Sequence, residues 1–204
     1  NLFTGNRVDD RHMFGLRSST KLEFGTTRAD LVISYFKEDD RRMLRTKVLC
    51  VKDLTLGCSP LANGFEAPDS RGTLFNTLGR QTGTIASGAG PAAVDYYARS
   101  INPADPRVVN EDLDPTYFVE EWLGSLQVSH EFGALTLTSL TGYTEVRREL
   151  FKDFDRFVPS LGLTRPVTFD LLGNGTSVTT QAIQTGRRDR DFTREFSQEL
   201  RLES

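Results

Sequence analysis

The sequence predicts an all-β protein built around one antiparallel sheet of about five strands. Three observations predict it. Apolar and polar side chains alternate in five separate segments, very short turns join two pairs of these segments, and two long stretches rich in Gly, Pro, Ser and Asn separate them. Alternation with a period of two is typical of a strand with one apolar and one polar face. We therefore expect short turns on one side of the sheet and long loops on the other.

The first two strands are expected near residues 12–24 and 30–40, joined by a turn in the sequence GTTRAD. Apolar residues occupy most of one register in each segment, with Ser18 and Thr20 interrupting that of the first, and the other register of the first strand includes Arg17 and Lys21. Because successive side chains of a strand point to opposite faces, the two segments form an amphipathic hairpin. Its apolar face is expected to carry Phe14, Leu16, Leu22, Phe24, Leu31, Ile33 and Tyr35.

The other three strands are expected near residues 117–132, 134–148 and 192–204. A turn at Phe132 to Ala134 joins the first two of them, and Gly142 marks a weak point or bend in the second. The last strand, in REFSQELRLES, has one apolar and one highly charged face. The apolar faces of these strands are expected to carry Trp122, Leu126, Val128, Phe132, Leu135, Leu137, Tyr143, Phe196, Leu200 and Leu202.

Two long loops, near residues 41–115 and 150–190, separate these hairpins and the last strand. Loops of this length are uncommon in compact domains unless they have a function of their own. Aromatic and arginine side chains often anchor binding, so Tyr96, Tyr97 and Arg99 are candidate ligand contacts. The alternative is that this part of the loop packs on itself.

The chain has two cysteines, Cys50 and Cys58, in the sequence CVKDLTLGC. Seven residues with a glycine beside the second cysteine can close a small loop, which predicts a disulfide in an oxidising compartment. The alternative is a pair of buried thiols. Both histidines, His12 and His130, are remote in sequence, so neither a zinc cluster nor any other metal site is expected.

Charged motifs lie where strands meet loops. EDDRR, residues 38–42, places opposite charges at a strand end, and we expect a solvated rim there, with a network of charges at the rim of a lumen as the alternative. KDFDRF, residues 152–157, has two carboxylates two residues apart. A calcium loop needs more oxygen ligands at regular spacing, so we expect a solvated start of the second loop instead.

Composition excludes several function classes. The 204 residues are 37% hydrophobic and 26% charged, with a net charge of −3, so a nucleic-acid partner is not expected. No catalytic constellation, phosphate-binding loop or cofactor motif is present, so we expect neither an enzyme nor a bound cofactor. No run approaches the roughly 18 apolar residues that a membrane helix needs.

The strands could nevertheless cross a membrane as part of a barrel. A tilted strand needs about 9–11 residues to cross a bilayer. Strands can span only as a closed barrel, with apolar side chains on lipid and polar ones on the lumen. Arg17, Lys21 and Arg201 all lie on the polar register, and Trp122 and Tyr143 lie near strand ends, where an aromatic girdle is found. A sheet that covers a soluble core has the same periodicity, so that alternative stays open.

The chain resembles a known membrane family. The stretch LTSLTGYTEVRRELFKDFDRF, followed later by DRDFTREFSQELRLES, is similar to the barrel of TonB-dependent outer-membrane receptors, and DLVISYFKEDD resembles a preceding hairpin. The resemblance covers most strand segments and little of the loops. No quoted segment matches the plug domain or the TonB box of that family, so its energy-coupling residues are not assigned to any position here.

The resemblance implies a fold and a function. The fold is a segment of an antiparallel transmembrane β-barrel, with short periplasmic turns, long extracellular loops and a location in the outer membrane of a Gram-negative bacterium. The function is import of a scarce nutrient, such as a ferric siderophore, cobalamin or a saccharide, driven through the TonB complex. The expected partners are outer-membrane lipid, that complex and the nutrient. A passive porin and a soluble all-β binding module are the alternatives.

Overall fold

A computed structural model describes residues 1–71, 95, 97–162, 166–170, 177–181 and 184–204. Its elements are strands, short turns and one turn of 3-10 helix, Pro159–Gly162. The strands, in chain order, are β1 (Met13–Phe24), β2 (Thr27–Asp40), β3 (Lys52–Asp53), β4 (Gly57–Cys58), β5 (Thr116–Phe132), β6 (Leu135–Asp153), β7 (Val167–Asp170), β8 (Ser177–Thr180) and β9 (Gly186–Glu203).

The chain divides into two compact units. The sheet unit comprises Asp9–Arg42, Pro115–Phe151 and Arg188–Ser204, and the loop unit comprises Asn1–Val8, Met43–Asp114 and Lys152–Arg187. The two long interruptions between the strands therefore belong, together with the N-terminal residues, to one compact body. The sequence predicted two separate loops and gave no sign of this association.

The sheet unit is a five-stranded antiparallel sheet in the order β1-β2-β5-β6-β9. Leu16 pairs with Tyr35, which pairs with Trp122 on the next strand. Side-chain contacts connect β6 to β9, with Thr141 donating to Gln198 at 2.7 Å. The predicted all-β class and the antiparallel five-stranded sheet are confirmed. The sheet is open, with β1 and β9 at its two edges.

The turns of the sheet unit are tighter than the sequence predicted. β2 begins at Thr27, so the first hairpin turns through Gly25 and Thr26 rather than through all of GTTRAD. Gly25 has φ 61° and Gly133, in the second hairpin, has φ 64°. The shortest hairpin turns require a residue with positive φ, and glycine adopts this conformation without strain. Each glycine therefore allows the two strands of its hairpin to stay paired up to the turn.

The loop unit has a small core of its own. Ala67, Tyr97 and Phe157 are buried together with Val48 packed against them. The Tyr97 and Phe157 rings lie 5.3 Å apart between centroids, in a tilted arrangement that aromatic pairs favour. Two small antiparallel sheets, β3–β4 and β7–β8, also belong to this unit.

Cys50 and Cys58 form a disulfide at the β3–β4 hairpin, with their Cα atoms 5.1 Å apart. Gly57 precedes the second cysteine with φ 83°, and a Cβ atom there would lie 3.2 Å from the Asp69 carbonyl oxygen. Glycine at this position therefore meets both a conformational and a steric requirement of the hairpin.

The disulfide is expected to resist alkylation in the native protein. Without a reducing agent, an alkylating reagent should add no mass at Cys50 or Cys58, and two alkylated thiols would contradict the bridge. Replacing both cysteines by serine should destabilise the loop unit by about 2–3 kcal/mol, because the bridge closes a short loop in the unfolded chain. Limited proteolysis of the variant beside the native protein measures this loss.

Candidate functional site

One face of the sheet unit is apolar on all five strands, and we call it the apolar face. The pairing Leu22 with Ala29, Ala29 with Val128 and Leu31 with Leu126 places the apolar registers of β1, β2 and β5 on the same side. The β5–β6 register and the contacts of β9 extend it. Its large side chains are Phe14, Leu16, Leu22, Phe24, Leu31, Ile33, Tyr35, Trp122, Leu126, Phe132, Leu135, Leu137, Tyr143, Phe196, Leu200 and Leu202.

The described residues leave the apolar face uncovered. Leu16 is 63% exposed, Ile33 45% and Leu126 38%, although β2 and β5 lie inside the sheet. Five strands of about 4.8 Å spacing and about ten residues each give a face of roughly 800 Å². The largest apolar patch on a typical soluble monomer is about 300–600 Å², so this face is larger than ordinary surface composition explains.

Polar side chains within the apolar face bond to one another. Gln198 accepts a hydrogen bond from Thr141 at 2.7 Å and donates one to Ser139 at 2.9 Å. Thr27 and the His130 ring are hydrogen-bonded at 2.6 Å. Their hydrogen-bonding groups are thus partly satisfied within the protein, which reduces the cost of placing them in an apolar environment.

Aromatic side chains form the edge of the apolar face that lies away from the short turns. The Tyr35 and Trp122 rings lie 4.5 Å apart between centroids, and Phe14 lies 6.3 Å from Tyr35. The Tyr35 hydroxyl donates to Glu120 at 3.0 Å and the Tyr143 hydroxyl to Glu145 at 2.5 Å. Each tyrosine has its ring on the apolar side and its hydroxyl toward the charges beyond.

Beyond this aromatic edge the same face becomes charged. Arg194 pairs with Glu145 at 3.0 Å. Glu149 forms ion pairs with Arg188 at 2.9 Å and with Arg190 at 3.3 Å. Along β2, Ile33, Tyr35 and Lys37 therefore take this face from apolar, through aromatic, to charged over three successive rows.

The aromatic edge is inclined to the strands. Phe14 lies in the row of Lys37 and Glu120. The contacts of Thr141 with Gln198 and of Glu145 with Arg194 align Phe196 with Tyr143, whose row across the sheet ends at Ser18 of β1. From Phe14 to Ser18 is four residues, or about 13 Å, and β1 and β9 are four spacings, or about 19 Å, apart. The edge is thus inclined by about 35° to the perpendicular of the strands.

The opposite face of the sheet unit, which we call the polar face, carries the alternate register. Lys21 pairs with Glu23 at 3.3 Å and Arg201 with Glu199 at 2.6 Å. These ion pairs are exposed on both partners, so each contributes little to stability. The same register also carries apolar side chains, namely Val32, Phe36, Leu123, Leu140 and Val146, so the two faces differ in the proportion of polar side chains.

A buried carboxylate organises one side of the loop unit. Asp95 accepts hydrogen bonds from the Ser70 and Tyr97 backbone N–H groups, both at 3.1 Å, and from Lys52 Nζ at 2.6 Å. Its neighbour Asp69 is fully buried and pairs with Arg71 at 2.8 Å, which holds the pKa of the Asp69 carboxyl below its usual value. Fixed donors thus compensate for the burial of both charges.

A second group of carboxylates in the loop unit has fewer donors and no close cation on Asp112, and we call it the acidic cluster: Glu111, Asp112, Asp153 and Asp155. Glu111, Asp112 and Asp153 are buried. The Asp112 N–H donates to Asp153 at 3.1 Å, and the Arg156 N–H donates to the same carboxylate at 2.9 Å. No described N–H or hydroxyl group donates to the Asp112 carboxylate oxygens.

Burial raises the pKa of all four carboxyls in the acidic cluster. The pKa of Glu111 rises to about 8, first because of burial and then because Asp153 lies nearby, while Arg156 opposes the rise. Burial followed by repulsion from Asp153 raises the pKa of Asp112 as well. A proton held by Asp112 can form a hydrogen bond with Asp153, so one proton serves two carboxyls.

The acidic cluster predicts that the loop unit loses stability as pH rises. A carboxyl with a raised folded-state pKa stabilises fully below its unfolded pKa, about 4.5 for Glu111, and this contribution is lost as pH rises towards about 8. The free energy of unfolding of Asp112→Asn should therefore exceed that of the native protein near pH 8 by about 1–3 kcal/mol, with a smaller difference near pH 5, and limited proteolysis measures both. The exposed Asp105→Asn variant is the matched control, and equal protection of both variants at high pH would contradict the prediction.

The predicted loop contacts lie in different settings. Tyr97 is buried against Phe157, and its packing belongs to the core of the loop unit. Arg99 is exposed. Tyr96 lies outside the described residues. A ligand contact at these positions therefore stays a prediction.

Two expectations about charged motifs were wrong. Asp153, in KDFDRF, is 3% exposed rather than solvated, because it belongs to the acidic cluster. In EDDRR, Glu38 and Asp40 are 3% and 5% exposed. Arg42 pairs with Glu38, donates its N–H to Asp40 at 2.9 Å and stacks over a tyrosine ring, so this strand end is a buried ionic contact rather than a solvated rim.

Within the described part of the chain, no helix is long and apolar enough to cross a bilayer. Nor do these residues contain a group of three or more His, Cys, Asp or Glu side chains arranged to hold a metal ion. No protein-family model matches the chain, and neither the curated proteins nor the solved structures contain a significant match.

Proposed function

We propose that this chain is part of the barrel of an outer-membrane receptor that imports a scarce nutrient with TonB-coupled energy. In this proposal the apolar face contacts lipid, the polar face lines the lumen, and the loop unit lies outside the cell and captures the nutrient. The short turns at Gly25 and Gly133 then lie in the periplasm. The receptor class rests on the resemblance of the strand segments, and the placement in a membrane rests on the apolar face.

The single observation that carries the membrane placement is the uncovered apolar face with its inclined aromatic edge. Strands of outer-membrane barrels tilt by about 35–45° from the membrane normal. The flat boundary of a membrane therefore crosses the sheet at the same angle to a line drawn perpendicular to the strands. From the spacing of residues and strands, the line from Phe14 to Phe196 is inclined by about 35° to the perpendicular of the strands. A soluble core gives no reason for aromatic and charged residues to follow such a line.

The height of the apolar face supports the same placement. From Phe132 to Trp122 of β5 is ten residues, or about 33 Å along the strand. A strand tilted by about 40° then spans about 25 Å along the membrane normal, which is the height of the apolar band of outer-membrane barrels. The aromatic residues at its upper end match the girdle that such barrels carry at the membrane interface.

The open edges of the sheet fit a larger barrel. An edge strand has unpaired N–H and C=O groups, which hydrocarbon does not satisfy. In the proposed receptor, further strands pair with β1 and β9 and close the barrel around a plug domain. The nutrient then binds to the extracellular side, and the TonB complex drives its passage through the lumen.

Transport measurements with the full-length protein test this proposal. Reconstituted into liposomes, a plugged receptor should not admit a small sugar, whereas a porin should. In cells, uptake of one of three probes, a ferric hydroxamate, cobalamin or a malto-oligosaccharide, should stop when the proton gradient is dissipated. Free passage of the sugar would favour a passive porin, and a monodisperse protein without detergent would favour a soluble binding module.

A further inference from the structure

We propose that Lys37, Phe118 and Arg147 form a docking site for the phosphate groups of anionic membrane lipids; this inference rests on the proposed function, which it deepens. The three residues come from β2, β5 and β6 and lie on the apolar face, just beyond the aromatic edge. In the proposed barrel this is the level of the lipid headgroups on the side of the long loops. We call Lys37 and Arg147 the cation pair, and Phe118 its ring.

The two cations converge on one aromatic ring. Lys37 Nζ lies 5.7 Å from the centroid of the Phe118 ring, and Arg147 Cζ lies 5.6 Å from it. The residues stand on strands on either side of β5, so the ring is flanked by a positive group from each side. A cation held over a ring face keeps its charge available to a second, anionic partner.

The carboxylate between the two cations accepts a hydrogen bond from another residue. Glu120 lies between Lys37 and Arg147 in the same row, but its side chain accepts from the Tyr35 hydroxyl at 3.0 Å. That bond draws Glu120 toward the apolar side, whereas the two cations lean the other way, toward Phe118.

The next row contains one engaged and one exposed carboxylate. Glu149 is held by two arginines of β9. Asp39 pairs with Phe118 across the strands and is exposed.

The cation pair has no ion-pair partner of its own among the described residues. Lys37 and Arg147 form no ion pair with a described carboxylate, in contrast to Arg188, Arg190 and Arg194 of the same charged region. Glu120 and Asp39 lie nearby, but neither comes within ion-pair distance of Lys37 or Arg147, so both cations can turn their N–H groups to another anion. A phosphate oxygen can accept hydrogen bonds from both, and the guanidinium fork suits phosphate geometry.

The surroundings select a lipid rather than a free anion. The cation pair borders an uncovered apolar face through Tyr35 and Trp122. A ligand seated there would place its charged group on the cations and an apolar part on the aromatic edge. A lipid with an anionic headgroup has both parts in this order, whereas inorganic phosphate uses only the first.

Lipid selectivity tests the proposal in the full-length protein. We would reconstitute it with spin-labelled phosphatidylglycerol or phosphatidylcholine and measure the relative association of each lipid. One basic side chain near the interface favours an anionic lipid by a factor of about five, so the native protein should prefer phosphatidylglycerol by about five- to thirtyfold. The variant Lys37→Gln with Arg147→Gln should lose most of this preference, and the matched variant Arg17→Gln with Lys21→Gln, on the polar face, should keep it.

The outcomes separate this proposal from the proposed function. Quenching of Trp122 fluorescence by brominated phosphatidylcholine reports contact between the apolar face and lipid in every variant. Quenching with no preference for phosphatidylglycerol, or with an equal preference in both double variants, would overturn the docking site alone. Absence of quenching would overturn both. Added inorganic phosphate should not abolish the preference, and a complete loss on its addition would identify a free-anion site instead.

Discussion

Leu126→Arg should destabilise the full-length protein in a membrane by about 2–4 kcal/mol, because it places a charge at the middle of the apolar face. Leu126 lies six residues from Phe132 and four from Trp122 along β5. In hydrocarbon the arginine side chain loses its hydration and finds no described counter-charge in its row, where Leu31 and Thr141 are its neighbours. Urea titration of the reconstituted protein measures the change.

Two matched variants separate lipid contact from a buried core. Gln127→Arg adds the same charge one residue further on, on the polar face, and should change the free energy of unfolding by no more than about 0.5 kcal/mol. Leu135→Arg lies on the apolar face beside a short turn and should cost only about 0–1 kcal/mol, because the penalty falls near the interface. Equal losses at Leu126 and Leu135, or none at Leu126, would contradict contact with lipid.

Asp95→Ala should destabilise the loop unit by about 3 kcal/mol. The change removes the acceptor of the Ser70 and Tyr97 N–H groups and leaves Lys52 with only the more distant Asp69, 4.0 Å away. Breaking a buried pair costs about 3–5 kcal/mol. We expect the lower end, since the Lys52 side chain is 34% exposed.

Hydrogen exchange at the Cys50 amide measures this loss, because that N–H donates to the Gly64 carbonyl oxygen within the loop unit and not to Asp95. Exchange should accelerate by roughly 100-fold if it occurs through opening of the unit. Asp105→Ala is the control, since Asp105 is exposed and accepts from the N–H of Arg107, two residues away. An equal acceleration in both variants would show that Asp95 does not organise the unit.

The strands and their faces were predictable because they depend on local alternation. On the last strand, Phe196, Leu200 and Leu202 alternate with mostly charged residues, and that pattern is visible without knowledge of the neighbouring strand. The strands also share one face, as the paired registers of Leu31 and Leu126 show. Short turns at Gly25 and Gly133 fix such a register, so the sequence contained this information in its turns.

The loop unit was not predictable because its contacts are distant in sequence and irregular in pattern. Asp112 and Asp153 are 41 residues apart, and the Glu111 N–H donates to the side chain of Asn1, 110 residues away. The motif KDFDRF indicated a solvated segment because two acidic residues are usually exposed, yet Asp153 is buried among other carboxyls. No local period pairs such residues. Packing of the segment around Tyr97 on the loop itself was the alternative to a ligand contact, and Tyr97 is buried in the core of the loop unit.

The central claim is that the apolar face touches the acyl chains of a membrane, and spin labels at Leu126 and Gln127 test it most directly. In the reconstituted full-length protein, a label at Leu126 should collide with oxygen dissolved in the bilayer and be shielded from a water-soluble nickel reagent. A label at Gln127, on the polar face, should show the reverse. A label at Leu126 that is shielded from both reagents, or that is exposed to the nickel reagent, would contradict the claim.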